Sequence, residues 1–338
     1  MTNGDRFSRL ATGGGYDIVD GLPGSKLKYT SAGQVWDNDD IVPSKATARA
    51  NGWLLHNASG SEIAYYSGGN GLLINPGNVS YQNELKRRIL LFLTVHPFES
   101  GVYFDNFMMD IRNFGTSYPI YNQSNQLLFS SPADYQTAEI SFISNLGAAL
   151  KAAGYFVGVN GRGNIVGQAG GANGDGTNTR LWLDRYYPYV SATMIEYWQQ
   201  RSDTHTVFLS GNDTWDHHWD GWQGVMAYAQ ARGIGFIPAC YVSPSELAQT
   251  RYMRASYLLE WDGAPHGSIL MTGWTPSDFW NSAMAFNPGH PSAAKYQVAT
   301  GVWRRDFSNG YVIVNPTHAA VTVGGVSIRS GDAILHQN

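Results

Sequence analysis

The run GVYFDNF, residues 101–107, sets Asp105 directly behind three strand-forming residues and directly before Asn106. A second carboxylate, Glu196, stands in TMIEYW between aliphatic and aromatic neighbours. Two carboxyl groups flanking a glycosidic bond can break it. One attacks the sugar or activates water, and the other protonates the departing oxygen. An apolar neighbourhood is what the protonating partner needs, because burial keeps a carboxyl neutral. Each carboxylate also has a plainer reading, as a helix cap or an ion-pair partner.

Other chemistries fit less well. The segment NDTWDHHWDGW, residues 212–222, offers Asp216, His217, His218 and Asp220. Adjacent histidines on a helix point in different directions, and no H-x-x-x-H or H-x-H spacing occurs. The sequence therefore predicts no metal and no other cofactor. A metal-dependent hydrolase using Asp105, His217 and Asp220 stays open as the minor alternative. No G-x-S-x-G occurs, and Cys240 lies in a strand-like run that fits a buried, inert thiol. The Gly-rich stretch at 167–179 lacks the Lys-Ser/Thr of a P-loop and reads as a long loop.

The elements that must hold these groups alternate. Apolar residues Leu85, Ile89, Phe92 and Leu93 predict a helix over 81–96. Ser131 and Pro132 read as the N-cap and first residue of a second helix, closed by Gly154. A third covers 219–232 before Gly233, and a helix-like segment covers 181–189. Ser243 with Glu246 reads as a capping box opening another. Strands are expected at 26–33, 71–76, 101–107, 155–161, 192–198, 234–241 and 267–273, with a weak eighth signal at 16–20. Helices alternating with strands apolar on both faces imply a parallel sheet under helices.

The expected fold is α/β, a (β/α)8 TIM-like barrel with its first unit degenerate or missing, over residues 1–291. An open doubly wound sheet competes, without the G-x-G-x-x-G of a dinucleotide site. Residues 292–338 change texture. Short alternating strands broken by Asn309-Gly310, Gly324-Gly325 and Ser330-Gly331 predict a small all-β, sandwich-like domain.

In such a barrel the carboxyl ends of the strands carry the chemistry. Tyr29, Asn75, Asn106, Asn160, Arg162, Trp198 and Trp274 fall at those ends, and Trp215 lies in the Trp-rich segment. They are the expected substrate contacts, although core packing is the commoner fate of any single Trp.

Composition agrees with a neutral, polar ligand that has apolar faces. Charged residues are 14% of the 338, against about 25% in an average soluble protein. The chain carries 11 Trp and 20 Tyr, has a net charge of −4, and has no basic block of the kind nucleic acid requires. A polysaccharide or oligosaccharide fits; nucleic acid and membrane do not. Ile89–Val95 is too short to span a bilayer. Cys240 is the only cysteine, so no intrachain disulfide forms. The N-terminus has no apolar signal core. The expected place of action is nevertheless outside the cytoplasm, by export with a leader not contained in this sequence or by phage-encoded release.

The run NGWLLHNASGSEIAYYSGGNGLLINPGNVSYQNELKRRI followed by GVYFDNF resembles a group of TIM-barrel hypothetical glycosyl hydrolases. The terminal GVWRRDFSNGYVIVNPT is similar to the β appendage of that group, so the resemblance covers roughly residues 26–338. The order of an Asp at one strand end and a Glu in a later xxExW strand is also similar to the bacterial dextranases. That resemblance implies a retaining mechanism with Asp105 as nucleophile and Glu196 as acid/base. A non-catalytic carbohydrate-binding barrel is the competing reading of the same residues.

Overall fold

The computed structural model describes residues 26–37, 39–65, 71–107, 110–161, 177–200, 204–211, 219–243, 245–263, 282–283 and 286–338. The chain begins with β1 (Lys26–Ser31), β2 (Gln34–Val35), α1 (Lys45–Ala50), β3 (Leu72–Leu73), α2 (Val79–Val95) and β4 (Glu99–Asp105). It continues with β5 (Ile120–Tyr121), β6 (Leu127–Phe129), α3 (Pro132–Ala152), β7 (Phe156–Asn160) and α4 (Thr177–Tyr186). Then come β8 (Ala192–Glu196), α5 (Trp219–Gln230), β9 (Gly235–Ala239) and α6 (Leu247–Glu260). The last strands are β10 (Tyr296–Ala299), β11 (Val302–Phe307), β12 (Gly310–Asn315), β13 (Val321–Val323), β14 (Val326–Ile328) and β15 (Asp332–Gln337).

Five strands form one parallel sheet in the order β1-β4-β7-β8-β9. That is chain order without reversal, whereas a doubly wound sheet reverses at its switch point. Parallel strands need crossovers, and α2, α3, α4 and α5 supply them. The architecture is α/β with a central parallel sheet, compatible with a TIM-barrel-like fold. The strand expected at 267–273 and the signal at 16–20 lie outside the described residues.

Local sequence explains the helix ends. Asn78 accepts from Tyr81 N–H at 3.1 Å and starts α2. Ser131 caps α3, with Pro132 in its first turn. Caps of this kind contribute about 1 kcal/mol each. Beyond α3, Gly154 takes φ +86°, and beyond α5, Gly233 takes φ +70°, turning the chain into the next strand. The Ser243–Glu246 expectation is half met. Ser243 N–H donates to Glu246 Oε2 at 2.6 Å, but α6 begins only at Leu247.

One expected barrel strand is corrected. Residues 71–76 do not join the parallel sheet. Leu72–Leu73 pairs antiparallel with Gln34–Val35, and the chain then enters a turn. In that turn Asn75 Oδ1 accepts from Gly77 N–H at 2.9 Å and Asn75 O accepts from Asn78 N–H. The apolar GLLI looks like a strand, but the Asn-Pro-Gly-Asn turn ends it after two residues.

The sheet is buried on both faces. Val102, Phe104, Val157, Val159, Ile195 and Phe236 belong to the main core with the helices, each worth about 1.5–3 kcal/mol of burial. Leu27, Tyr103, Ala192, Met194, Ile237 and Ala239 form a second cluster on the opposite face.

The C-terminal strands form an antiparallel sheet β10-β11-β12-β15 and a hairpin β13-β14. The Gly324-Gly325 hairpin is present, both glycines having positive φ. One sheet face joins the main core through Phe307, Val312, Val314 and Ala333. The other packs Val302 and Ile313 with Ile328 of the hairpin.

Candidate active site

A parallel sheet fixes which side chains share a face. Register pairs Tyr29 with Tyr103, Tyr103 with Gly158, Gly158 with Ala192 and Ala192 with Gly235. One layer further toward the carboxyl ends, Ser31 pairs with Asp105 and Asn160 with Met194. Glu196, opposite Ala239, is one layer higher again. Alternation therefore puts Tyr29, Asp105, Asn160 and Glu196 on the face away from the helices. β7 separates β4 from β8, so the two carboxylates stem from strands about 10 Å apart. Gly158, one layer below, leaves space for the Tyr103 ring: a Cβ there would lie 3.1 Å from it.

Asp105 is enclosed by donors. Tyr29 Oη donates to Oδ2 at 2.5 Å, Asn160 Nδ2 to Oδ1 at 2.9 Å, and Asn106 Nδ2 to Oδ2 at 3.3 Å. An ionised carboxylate is acceptor-only, and this shell presents only donors. Asn160 is 1% exposed, and its Oδ1 has no hydrogen-bond partner among the described residues. Asn106 adopts φ +59°, and Tyr65 Oη donates to its Oδ1 at 3.2 Å. Asn tolerates that left-handed conformation better than most residues.

Glu196 accepts from Tyr241 Oη at 2.8 Å. Tyr197, which follows it, takes φ +54°, so each carboxylate is succeeded by a non-glycine left-handed residue. Backbone of this kind persists where the surroundings hold it, and it concentrates at functional sites. Tyr103 lies one layer below Asp105 and donates to Met194 Sδ at 3.1 Å. Burial first, then Asp105 and Glu196, push its phenol well above the usual range. The same order holds at Tyr241, with Glu196 the stronger of the two carboxylates. Both phenols therefore remain donors at neutral pH.

The structure thus brings Tyr29, Asp105, Asn106 and Asn160 together and sets Glu196 on the same face. Asn75 is half-buried, its carbonyl oxygen engaged in the turn before α2. Trp198 is a correction: it is 0% exposed, and its Nε1 donates to Trp222 O at 3.5 Å. A ring enclosed in the core has no face left for a sugar. Trp219 and Trp222 are likewise buried against the helices. Arg162, Trp215, Trp274 and His217 lie outside the described residues. Asp220 is exposed in the first turn of α5. Among the described residues no three His, Cys, Asp or Glu side chains group to hold a metal ion. Cys240 is buried, which pushes its thiol well up.

Sequence reasoning missed Tyr241, Tyr103 and Tyr65. A signal for the first existed. Ile237, Ala239 and Tyr241 keep the two-residue period of the inner face just past the end of β9.

The parallel α/β sheet, with two carboxylates on one face, is compatible with a TIM-barrel-like glycoside hydrolase fold. The chain belongs to hypothetical glycosyl hydrolase family 15, whose model matches residues 25–311. No curated protein matches the sequence. Similar solved structures include the glycoside hydrolase domain of PelA from Pseudomonas aeruginosa, at 15% identity and TM-score 0.43, covering 74% of this chain and 78% of that one. Ega3 from Aspergillus fumigatus, in complex with galactosamine, is 13% identical at TM-score 0.40, covering 73% and 74%. Alpha-N-acetylgalactosaminidase NagBb from Bifidobacterium bifidum, in its GalNAc complex, is 10% identical at TM-score 0.43, covering 90% and 42%.

Proposed function

We propose that this glycoside hydrolase cleaves a polysaccharide with retention of configuration, Asp105 acting as nucleophile and Glu196 as acid/base. The observation that carries the reading is the donor cage on Asp105. Asn160 holds one carboxylate oxygen, while Tyr29 and Asn106 hold the other. A carboxylate pinned at both oxygens is aimed, which lowers the cost of reaching a near-attack geometry. Asp105 attacks the anomeric carbon as Glu196 gives its proton to the leaving oxygen. The Glu196 carboxylate then takes a proton from water, and that water releases the sugar from Asp105. Tyr29, Asn106 and Asn160 hold the nucleophile and face the sugar. A polysaccharide substrate supports action outside the cytoplasm.

The test is a glycan panel read by mass spectrometry, with NMR of the first-formed anomer. Asp105→Asn should lose at least about 10³-fold in kcat/KM and Glu196→Gln about 10²–10⁴-fold, both with wild-type circular dichroism. Full activity in either variant overturns that residue's role, and an inverted product overturns retention.

A further inference from the structure

We infer that Tyr241 is a positioning residue for Glu196, holding the acid/base carboxyl in its working orientation and stabilising the charge it acquires when its proton leaves. This rests on the acid/base reading of Glu196 and adds the residue that makes that carboxyl effective. Tyr241 Oη donates to Glu196 Oε1 at 2.8 Å.

The backbone around it is built to keep the phenol there. The turn after β8 and the end of β9 are fastened together at three points. Trp198 N–H donates to Ala239 O at 3.1 Å, Cys240 Sγ donates to Trp198 O at 3.1 Å, and Gln200 Nε2 donates to Tyr241 O at 2.9 Å. Gln200 is fully buried, so its amide is not free to exchange that carbonyl for water. The turn reaches this geometry through left-handed φ values of +54° at Tyr197 and +61° at Gln199, both non-glycine. The Tyr197 ring meets the Tyr241 ring edge-on, with centroids 4.9 Å apart. Strained backbone, a buried amide and an aromatic edge thus converge on one hydroxyl, and that hydroxyl meets the carboxylate.

The groups facing this pair include Asp105 and Tyr103 from β4 and Tyr197 from the same turn. Burial, followed by Glu196 beside it, keeps the Tyr241 phenol protonated throughout the working range. A donor aimed at a carboxylate favours its ionised form over its neutral one. Tyr241 therefore helps most as the proton passes to the leaving oxygen, and helps little where the leaving group needs no proton.

The test compares wild type, Tyr241→Phe and Glu196→Gln on 2,4-dinitrophenyl and phenyl glycosides of one sugar. The variant Tyr241→Phe keeps the ring and removes only the hydroxyl. On the phenyl glycoside it should lose about 10- to 100-fold in kcat/KM, and on the dinitrophenyl glycoside less than about threefold. Its alkaline limb in kcat/KM should move upward by about half to one pH unit. Equal losses on both substrates with an unmoved limb would show a merely structural tyrosine and overturn the inference. Glu196→Gln separates the two failures. If that variant loses equally on both glycosides in kcat/KM, Glu196 is not the acid/base and the inference falls with it. If Glu196→Gln is leaving-group-selective and Tyr241→Phe is not, only the inference falls.

Discussion

Tyr29 Oη reaches Asp105 Oδ2 at 2.5 Å even though the strands pair Asp105 with Ser31 and Tyr29 with Tyr103. The phenol reaches up one layer from β1 to the carboxylate on β4. Tyr241 mirrors it from the other side, lying one layer beyond Ala239, the partner of Glu196. Each carboxylate is thus held by a tyrosine from the neighbouring segment, Tyr29 in β1 and Tyr241 just past β9. Tyr29→Phe removes one charge-assisted hydrogen bond, a contribution of about 1.5–3 kcal/mol. Steady-state kinetics should show kcat/KM lower by about 10- to 100-fold while far-ultraviolet circular dichroism stays that of the wild type. Activity within twofold of wild type would mean that Asn106 and Asn160 suffice to hold Asp105.

Trp198 makes the opposite prediction. Its indole is enclosed in the main core, edge-on to Phe236 with centroids 6.4 Å apart. Trp198→Ala should cost about 3–5 kcal/mol of stability through the cavity it leaves. Urea unfolding measures that cost directly. A variant with wild-type stability but weakened glycan binding would return Trp198 to the sugar site.

The contrast between these residues shows what the chain made legible. Asp105 was readable because apolar alternation runs into it and parallel barrels put chemistry at such ends. Trp198 has the same parity as Glu196 and so looked like a site residue. The left-handed turn at Tyr197 ends the alternation and swings the indole into the core. The strand expected at 71–76 fails for a related reason, since a turn two residues after Leu73 takes up the side-chain oxygen of Asn75. Tyr241 escaped notice because a tyrosine after an apolar strand reads as core. Only the fastening of two loops, distant in sequence, aims its hydroxyl. Backbone excursions and loop-to-loop hydrogen bonds leave little trace in periodicity, whereas strand and helix identities do.

Glu139, on α3, should set a pH dependence of stability that has nothing to do with the carboxylate pair. It is fully buried, which pushes its carboxyl up to about 8 even though Tyr135 Oη donates to it at 2.6 Å. The folded protein therefore holds this proton where the unfolded chain, titrating near about 4.3, has lost it. The resulting stabilisation is fully present below about pH 4.3 and is lost as pH rises through about 8. Glu139→Gln cannot ionise, so it lacks this loss. Unfolding free energies of wild type and Glu139→Gln from pH 5 to 8.5 should converge or cross as pH rises. Parallel curves would show that Glu139 titrates normally.

The C-terminal sheet should prove necessary to the parallel-sheet region and not merely attached to it. Its Phe307, Val312, Val314 and Ala333 share the main core with Tyr252, Met253 and Leu258 of α6. Arg305 Nη1 donates to Leu258 O, Leu259 O and Trp261 O at 3.2, 2.9 and 2.6 Å, satisfying carbonyls at the α6 C-terminus that no intrahelical N–H can reach. Arg251 pairs with Asp332 at 2.5 Å, and Lys295 pairs with Glu260. Residues 1–291 alone would expose the apolar face of α6 and leave its end uncapped. That fragment should be largely insoluble, or should bind a hydrophobic dye and lose near-ultraviolet dichroism. A soluble, monodisperse 1–291 with a cooperative melt would instead make residues 292–338 an independent unit. Arg305→Gln in the full chain isolates the capping contribution and should lower stability by about 1–3 kcal/mol, because buried carbonyls then lose their donor.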